Sequence, residues 1–151
     1  MIIEKDTFIT FLDTDYETIT FESEDGILIT ANEYKIGDSS PIIVLCHQAQ
    51  FNKFEYDGVA QRLNENGFNC IAIDQRSGGP IGSAQNETNL AAKEAGKSVE
   101  YLDARQDIKA AVNFASDRYK QEVILWGSSY SSTLVLWEAM ENQNVKSVIS
   151  F

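Results

Sequence analysis

The sequence predicts an α/β fold: a mostly parallel, mixed sheet with an N-terminal antiparallel hairpin and flanking helices. Three observations carry that expectation. Short apolar runs alternate with segments of helical spacing, an order that puts parallel strands in one sheet and helices on its faces. The first two β-rich runs are separated by Glu24-Asp25-Gly26, a turn signal that makes them a hairpin. The run at 41–46 is apolar without alternation, as expected of a strand buried on both faces of a parallel sheet.

The elements follow in order. Residues 7–12 read as a further strand or an ordered arm, and residues 16–21 and 27–31 as the hairpin. After the polar stretch Gly37-Asp38-Ser39-Ser40 comes the buried strand at 41–46. A helix over 54–66 is expected from the spacing of Val59, Ala60 and Leu63, with Gly67 as its stop. A second apolar strand runs over 68–73 and ends at Asp74. Residues 75–97 read as a long polar loop, of the kind that is usually functional or mobile. From Ser98 a helix is expected, with Tyr101, Ala104, Ile108, Val112, Ala115 and Tyr119 on one stripe. A strand at 123–126, a helix at 130–142 and an apolar strand at 145–151 complete the order.

A length of 151 residues fits one domain, here 1–151 with residues 1–15 as an arm or extra strand. At 43% hydrophobic and 11% aromatic residues the chain can bury a core, which excludes general disorder. Twelve basic against twenty-three acidic residues leave a net charge of −11, the wrong sign for nucleic acid or an anionic membrane surface. No apolar run approaches the ~18 residues of a spanning helix. The start Met1-Ile2-Ile3-Glu4-Lys5-Asp6 lacks the basic and apolar regions of a signal peptide, but a chain already trimmed of one would read the same, so the compartment stays open. Cys46 and Cys70 form no disulfide framework and read as small buried hydrophobes. A single histidine and two distant cysteines do not make an ordinary zinc site, and no calcium-loop pattern is present. No metal and no cofactor are expected.

The chemistry-bearing segment is Trp126-Gly127-Ser128-Ser129-Tyr130-Ser131-Ser132, between an apolar strand and a helix. That is the setting of a nucleophile elbow, G-x-S-x-G, in which a tight turn lifts a serine above the sheet. Small residues two before and two after the serine let strand and helix approach; here they are Gly127 and Ser131, a departure that keeps the size. Ser129 is then the nucleophile, at a helix N-terminus whose N–H groups favour negative charge. The plainer reading is a serine-rich helix cap. Two further segments favour the elbow: Cys46-His47-Gln48-Ala49 after the first buried strand and Asp74-Gln75-Arg76-Ser77-Gly78-Gly79 after the next.

In these three segments and their order the sequence resembles the α/β-hydrolase family, over roughly residues 16–151. It is most similar to bacterial dienelactone-hydrolase-like members that carry His-Gln-Ala in place of His-Gly-x. The resemblance implies an oxyanion hole made by the backbone N–H of Tyr130 and that of Ala49, with Gln48 as the alternative donor. It makes His47 a structural residue of its loop. Arg76 is expected to brace its loop with a salt bridge, a substrate role being the lesser reading.

A serine hydroxyl needs a base. In this family the acid and the histidine follow the serine along the chain, yet after Ser129 there is no histidine, and the later acids Glu138 and Glu141 lie on the helix leading away. The sequence also stops within an apolar strand. The expectation is the N-terminal part of a longer hydrolase acting on a small acyl compound such as an ester or lactone, these 151 residues alone being nearly inactive. The alternative is a non-catalytic binding or assembly module, self-associating through the edge at 145–151.

Overall fold

The computed structural model describes residues 15–151, so the expected arm or strand at 7–12 lies outside the described residues. A hairpin of β1 (Glu17–Glu22) and β2 (Leu28–Tyr34) opens the sheet. Then come β3 (Ile42–Cys46), α1 (Asp57–Glu65), β4 (Asn69–Ile73), α2 (Glu87–Glu94) and α3 (Ala104–Tyr119). They are followed by β5 (Val123–Gly127), α4 (Tyr130–Glu141) and β6 (Val145–Ser150). The strands form one six-stranded sheet in the order β1-β2-β4-β3-β5-β6. The first two pairings are antiparallel and the remaining three parallel, which is the mixed sheet expected.

Side-chain alternation along the strands divides the core. Ile42, Val44, Cys46, Ile71, Ile73 and Leu125 face α3 and α4, while Ile43, Leu45, Cys70 and Ala72 face Tyr56 and Ala60 on the α1 side. All five residues of β3 and of β4 are buried, which is why those strands read as apolar runs, unbroken in β3 and in β4 past Asn69. The chain passes from β3 to β4 on one side and returns to β5 on the other. Beside β3 the strand order therefore reverses, and in open α/β sheets the crevice at the C-terminal ends of such strands is where ligands bind.

Three expectations need correction. The stretch at 75–97 is not all loop: α2 forms within it, with Asn86 as N-cap accepting from the Asn89 N–H at 2.8 Å. The second strand runs on to Tyr34, because Asn32 and Glu33 pair with both β1 and β4, and Tyr34 with β4. The helices expected from 54 and from 98 each start later, after a 3-10 turn at Lys53–Tyr56 and at Tyr101–Asp103. The last strand forms the sheet edge and leaves Ile149 and Phe151 exposed.

Candidate active site

Between β5 and α4 the backbone turns sharply at Ser129, which has φ 54° and ψ −124°. A non-glycine residue at positive φ is uncommon, and such strain is held only where the surroundings over-determine it. Here they do. The Ser129 N–H donates to the Phe151 carbonyl at 2.9 Å, and the Ser131 and Ser132 N–H groups close the first turn of α4 on Ser128 and Ser129. Gly127 is required by space: a Cβ there would stand 2.7 Å from both the Ser131 carbonyl oxygen and Val135 Cγ2. The Ser129 side chain itself is exposed. Among the described residues, neither its hydroxyl nor the Tyr130 N–H makes a hydrogen bond.

Under the turn lies a closed polar network among three strand ends. Gln75, which follows β4, donates its backbone N–H to His47 Nε2 at 2.9 Å. Its side-chain amide donates to Ser131 Oγ at 2.9 Å and to Tyr130 Oη at 2.6 Å. Ser131 Oγ in turn donates to the His47 carbonyl at 2.5 Å. Ser77 Oγ lies 2.7 Å from Tyr130 Oη and completes the seat of the phenol. His47, Gln75 and Ser131 are fully buried. Next to them Gly78 lets the loop close, since a Cβ would come within 2.1 Å of the Phe51 carbonyl and 2.7 Å of His47 Cε1.

His47 is committed to this scaffold. Its Nε2 accepts from Gln75, so its Nδ1 carries the proton, 2.8 Å from the Gln48 carbonyl. Burial pushes its pKa down to about 4, which keeps the ring neutral and leaves it no part as a base for Ser129. Of the two alternative loop donors, the Gln48 N–H is already taken by the Glu55 carboxylate at 2.8 Å. The N–H of Gln48, the alternative donor, is thus satisfied within the chain. Burial pushes the Glu55 carboxyl up from its ordinary value. Among the described residues the Ala49 N–H has no hydrogen-bond partner, and it is followed by Gln50 at φ 63°, a second strained corner.

Arg76 braces its loop, as expected. It is 1% exposed and forks onto Asp107 at 2.8 Å and Asp25 at 2.7 Å. Asp74 holds the Lys53 ammonium at 3.0 Å and accepts the backbone N–H groups of Lys53 and Glu87. Asn86, the head of an Asn-Glu-Thr glycosylation triplet, is buried, with its amide bound to the Gln75 carbonyl at 2.9 Å. Cys46 and Cys70 are buried free thiols, and burial pushes Cys70 up to about 12. No group of metal-ligating side chains occurs among the described residues, and no helix of the described residues is long and apolar enough to cross a membrane.

Beside the turn is a cleft of about 280 Å³ lined by Gln50, Ser77, Val99, Glu100 and Tyr101. The Tyr101 ring packs on Tyr130 at 4.8 Å between centroids. A larger cleft of about 520 Å³ lies at the other end of α4, among Glu24, Arg105, Lys109, Glu138 and Glu141. Glu138 and Glu141 bond to Asn142 and to Arg105 there, one helix length from Ser129. Sequence reasoning named Ser129, Tyr130 and Ala49 but not the hydrogen bonds that Gln75, Ser131 and Glu55 make around them. The signal for Gln75 was its place just past a strand buried on both faces, where a polar side chain has to find a partner.

No protein-family profile matches the chain, and no curated protein matches it. Solved structures do. An esterase of Pyrococcus furiosus superposes with a TM-score of 0.71 at 19% identity, covering 91% of this chain and 51% of its own. An alpha/beta hydrolase of Penicillium gives 0.70 at 16% identity, covering 89% and 45%. A thermostable carboxyl esterase of Bacillus coagulans gives 0.69 at 18%, covering 89% and 43%. At such identities the likeness establishes the fold, which is part of an α/β-hydrolase core. The chain spans about half the length of these structures.

Proposed function

We propose that the chain bears the nucleophile of a serine hydrolase that cleaves an ester, lactone or similar acyl bond. The observation that carries this is the exposed Ser129 hydroxyl on a φ 54° corner between β5 and α4, at a helix N-terminus with an unpartnered N–H. Ser129 Oγ adds to the acyl carbonyl as its proton passes to a base. The carbonyl oxygen becomes an oxyanion, held by the Tyr130 and Ala49 N–H groups. The bond to the leaving alcohol breaks as the base returns the proton to it, and water then cleaves the acyl-enzyme by the same steps. Each oxyanion donor is worth ~10²–10³ in turnover. Within the fold, His47-Gln48-Ala49 resembles the dienelactone-hydrolase-like members.

The base and its acid come from outside these 151 residues in this reading, since the one histidine, His47, is buried, neutral and bonded at both nitrogens. Ester hydrolysis by the polypeptide as its reading frame encodes it is the test, with p-nitrophenyl acetate as probe. Ser129→Ala is expected to lose the acyl-enzyme burst, while Ser128→Ala keeps it. Equal bursts in wild type and Ser129→Ala would overturn the assignment. The 151 residues alone are expected to turn over slowly, and rapid turnover would contradict the absence of a base.

A further inference from the structure

Gln75 touches neither the Ser129 hydroxyl nor a free N–H, yet it links every segment that carries one. It is fully buried, and its amide nitrogen and both backbone groups are engaged. The backbone N–H holds the His47 ring at 2.9 Å and the carbonyl accepts from Asn86 at 2.9 Å. The side-chain NH₂ spends one hydrogen on Tyr130 Oη at 2.6 Å and the other on Ser131 Oγ at 2.9 Å. Ser131 Oγ passes its own hydrogen to the His47 carbonyl at 2.5 Å. Gln75, Ser131 and His47 thus form a closed triangle of hydrogen bonds. One corner is the residue after β4, another is in the first turn of α4, and the third is the loop that leads to Ala49.

We infer that Gln75 is a positioning residue. By fixing Tyr130 and Ser131 to the His47 loop, it sets the separation between the Tyr130 and Ala49 N–H groups that must meet a single oxyanion. This rests on the reaction proposed above. Two features of the amide make the role specific. It donates twice from one nitrogen, which neither a carboxylate nor an apolar side chain of the same length does. Its two acceptors are consecutive residues immediately after Ser129, so the clamp acts on the backbone that presents the Tyr130 N–H. Because such donors work only when aimed at the place where charge develops, a small displacement is costly: about 1 Å of misplacement costs ~10² in rate.

The test is the phosphonylation of the encoded polypeptide by an alkyl fluorophosphonate, resolved into a maximal rate and a half-saturating concentration. Gln75→Met fills the same space without donating, and its maximal rate is expected to fall about 100-fold with half-saturation little changed. Ser131→Ala combined with Tyr130→Phe removes both acceptors while leaving Gln75 in place, and serves if Gln75→Met does not fold. Adding Gln75→Met to that pair is expected to cost little more, the non-additivity of residues acting as one unit. Amide NMR gives a readout independent of reactivity: the Ala49 and Tyr130 resonances are expected to move together in Gln75→Met while those of α3 stay. Wild-type rates in these variants, or unmoved Ala49 and Tyr130 resonances, would overturn the role of Gln75 and leave Ser129 as nucleophile. Failure of the wild type to react at Ser129 would instead remove the hydrolase reading, and the catalytic purpose of the clamp with it.

Discussion

The two ends of α4 are built on opposite principles. At the N-terminal end a strained Ser129 stands above a network in which His47, Gln75 and Ser131 are fully buried and mutually bonded. At the C-terminal end Glu141 meets Arg105 at 2.5 Å and Lys109 meets Glu24 at 2.5 Å around the larger cleft, on side chains that range from a quarter to two-thirds exposed. The smaller cleft adjoins the rigid end. The larger of the two clefts lies at the other end of the helix. Chemistry needs donors fixed before the substrate arrives, and ion pairs open to water and screened by it supply little of that.

The largest effect that sharpens this contrast is expected at Arg76. Arg76→Met strands Asp107 and Asp25 without their partner, and breaking a buried pair in this way costs about 3–5 kcal/mol. Urea unfolding measures it, and a loss below about 1 kcal/mol would mean the loop is held by something else.

Next is the pH dependence from His47. Its pKa is about 4 in the fold against 6.5 for the free group, so between those values the unfolded chain binds the extra proton. Stability from this residue is fully present above pH 6.5 and is lost as pH falls toward 4, by on the order of 3 kcal/mol. Comparing the slopes of stability against pH for wild type and His47→Gln isolates that contribution. Equal slopes in that window would contradict a neutral, buried ring.

Gly127→Ala forces a Cβ to within 2.7 Å of the Ser131 carbonyl and is expected to cost about 1–3 kcal/mol while also shifting the Ser129 turn. Gly58→Ala, where nothing lies within 4 Å, is expected to be neutral or to stabilise by up to about 1 kcal/mol. The smallest effect belongs to the exposed end: Glu141→Gln breaks the ion pair with Arg105 and is expected to leave the thermal midpoint unmoved. A clear drop there would narrow the difference between the two ends.

The sheet was legible because its central strands are buried on both faces and show it as unbroken apolar runs, 42–46 and 70–73. The helix α2 was not, because its eight residues are mostly polar and its start rests on one Asn86 cap, which also mimics a glycosylation triplet. Ser129 was legible from the small residues around it, since close packing of strand and helix leaves a local mark. The network beneath was not: Gln75 reaches His47 across 28 positions and Ser131 across 56, and Ser131 reaches His47 across 84. Ser131 read only as a small residue standing in for glycine, whereas its hydroxyl joins two loops. The bond that distinguishes the Gln48 N–H from that of Ala49 was likewise hidden, since it comes from the carboxylate of Glu55, seven residues along.

The central claim is that one exposed serine reacts with acyl compounds. Mass mapping of the peptide modified by a fluorophosphonate, on the polypeptide its reading frame encodes, addresses it most directly. A single adduct on Ser129, absent from Ser129→Ala, is the expected result. An adduct on Ser128 or Ser131, or none that depends on Ser129, would contradict it.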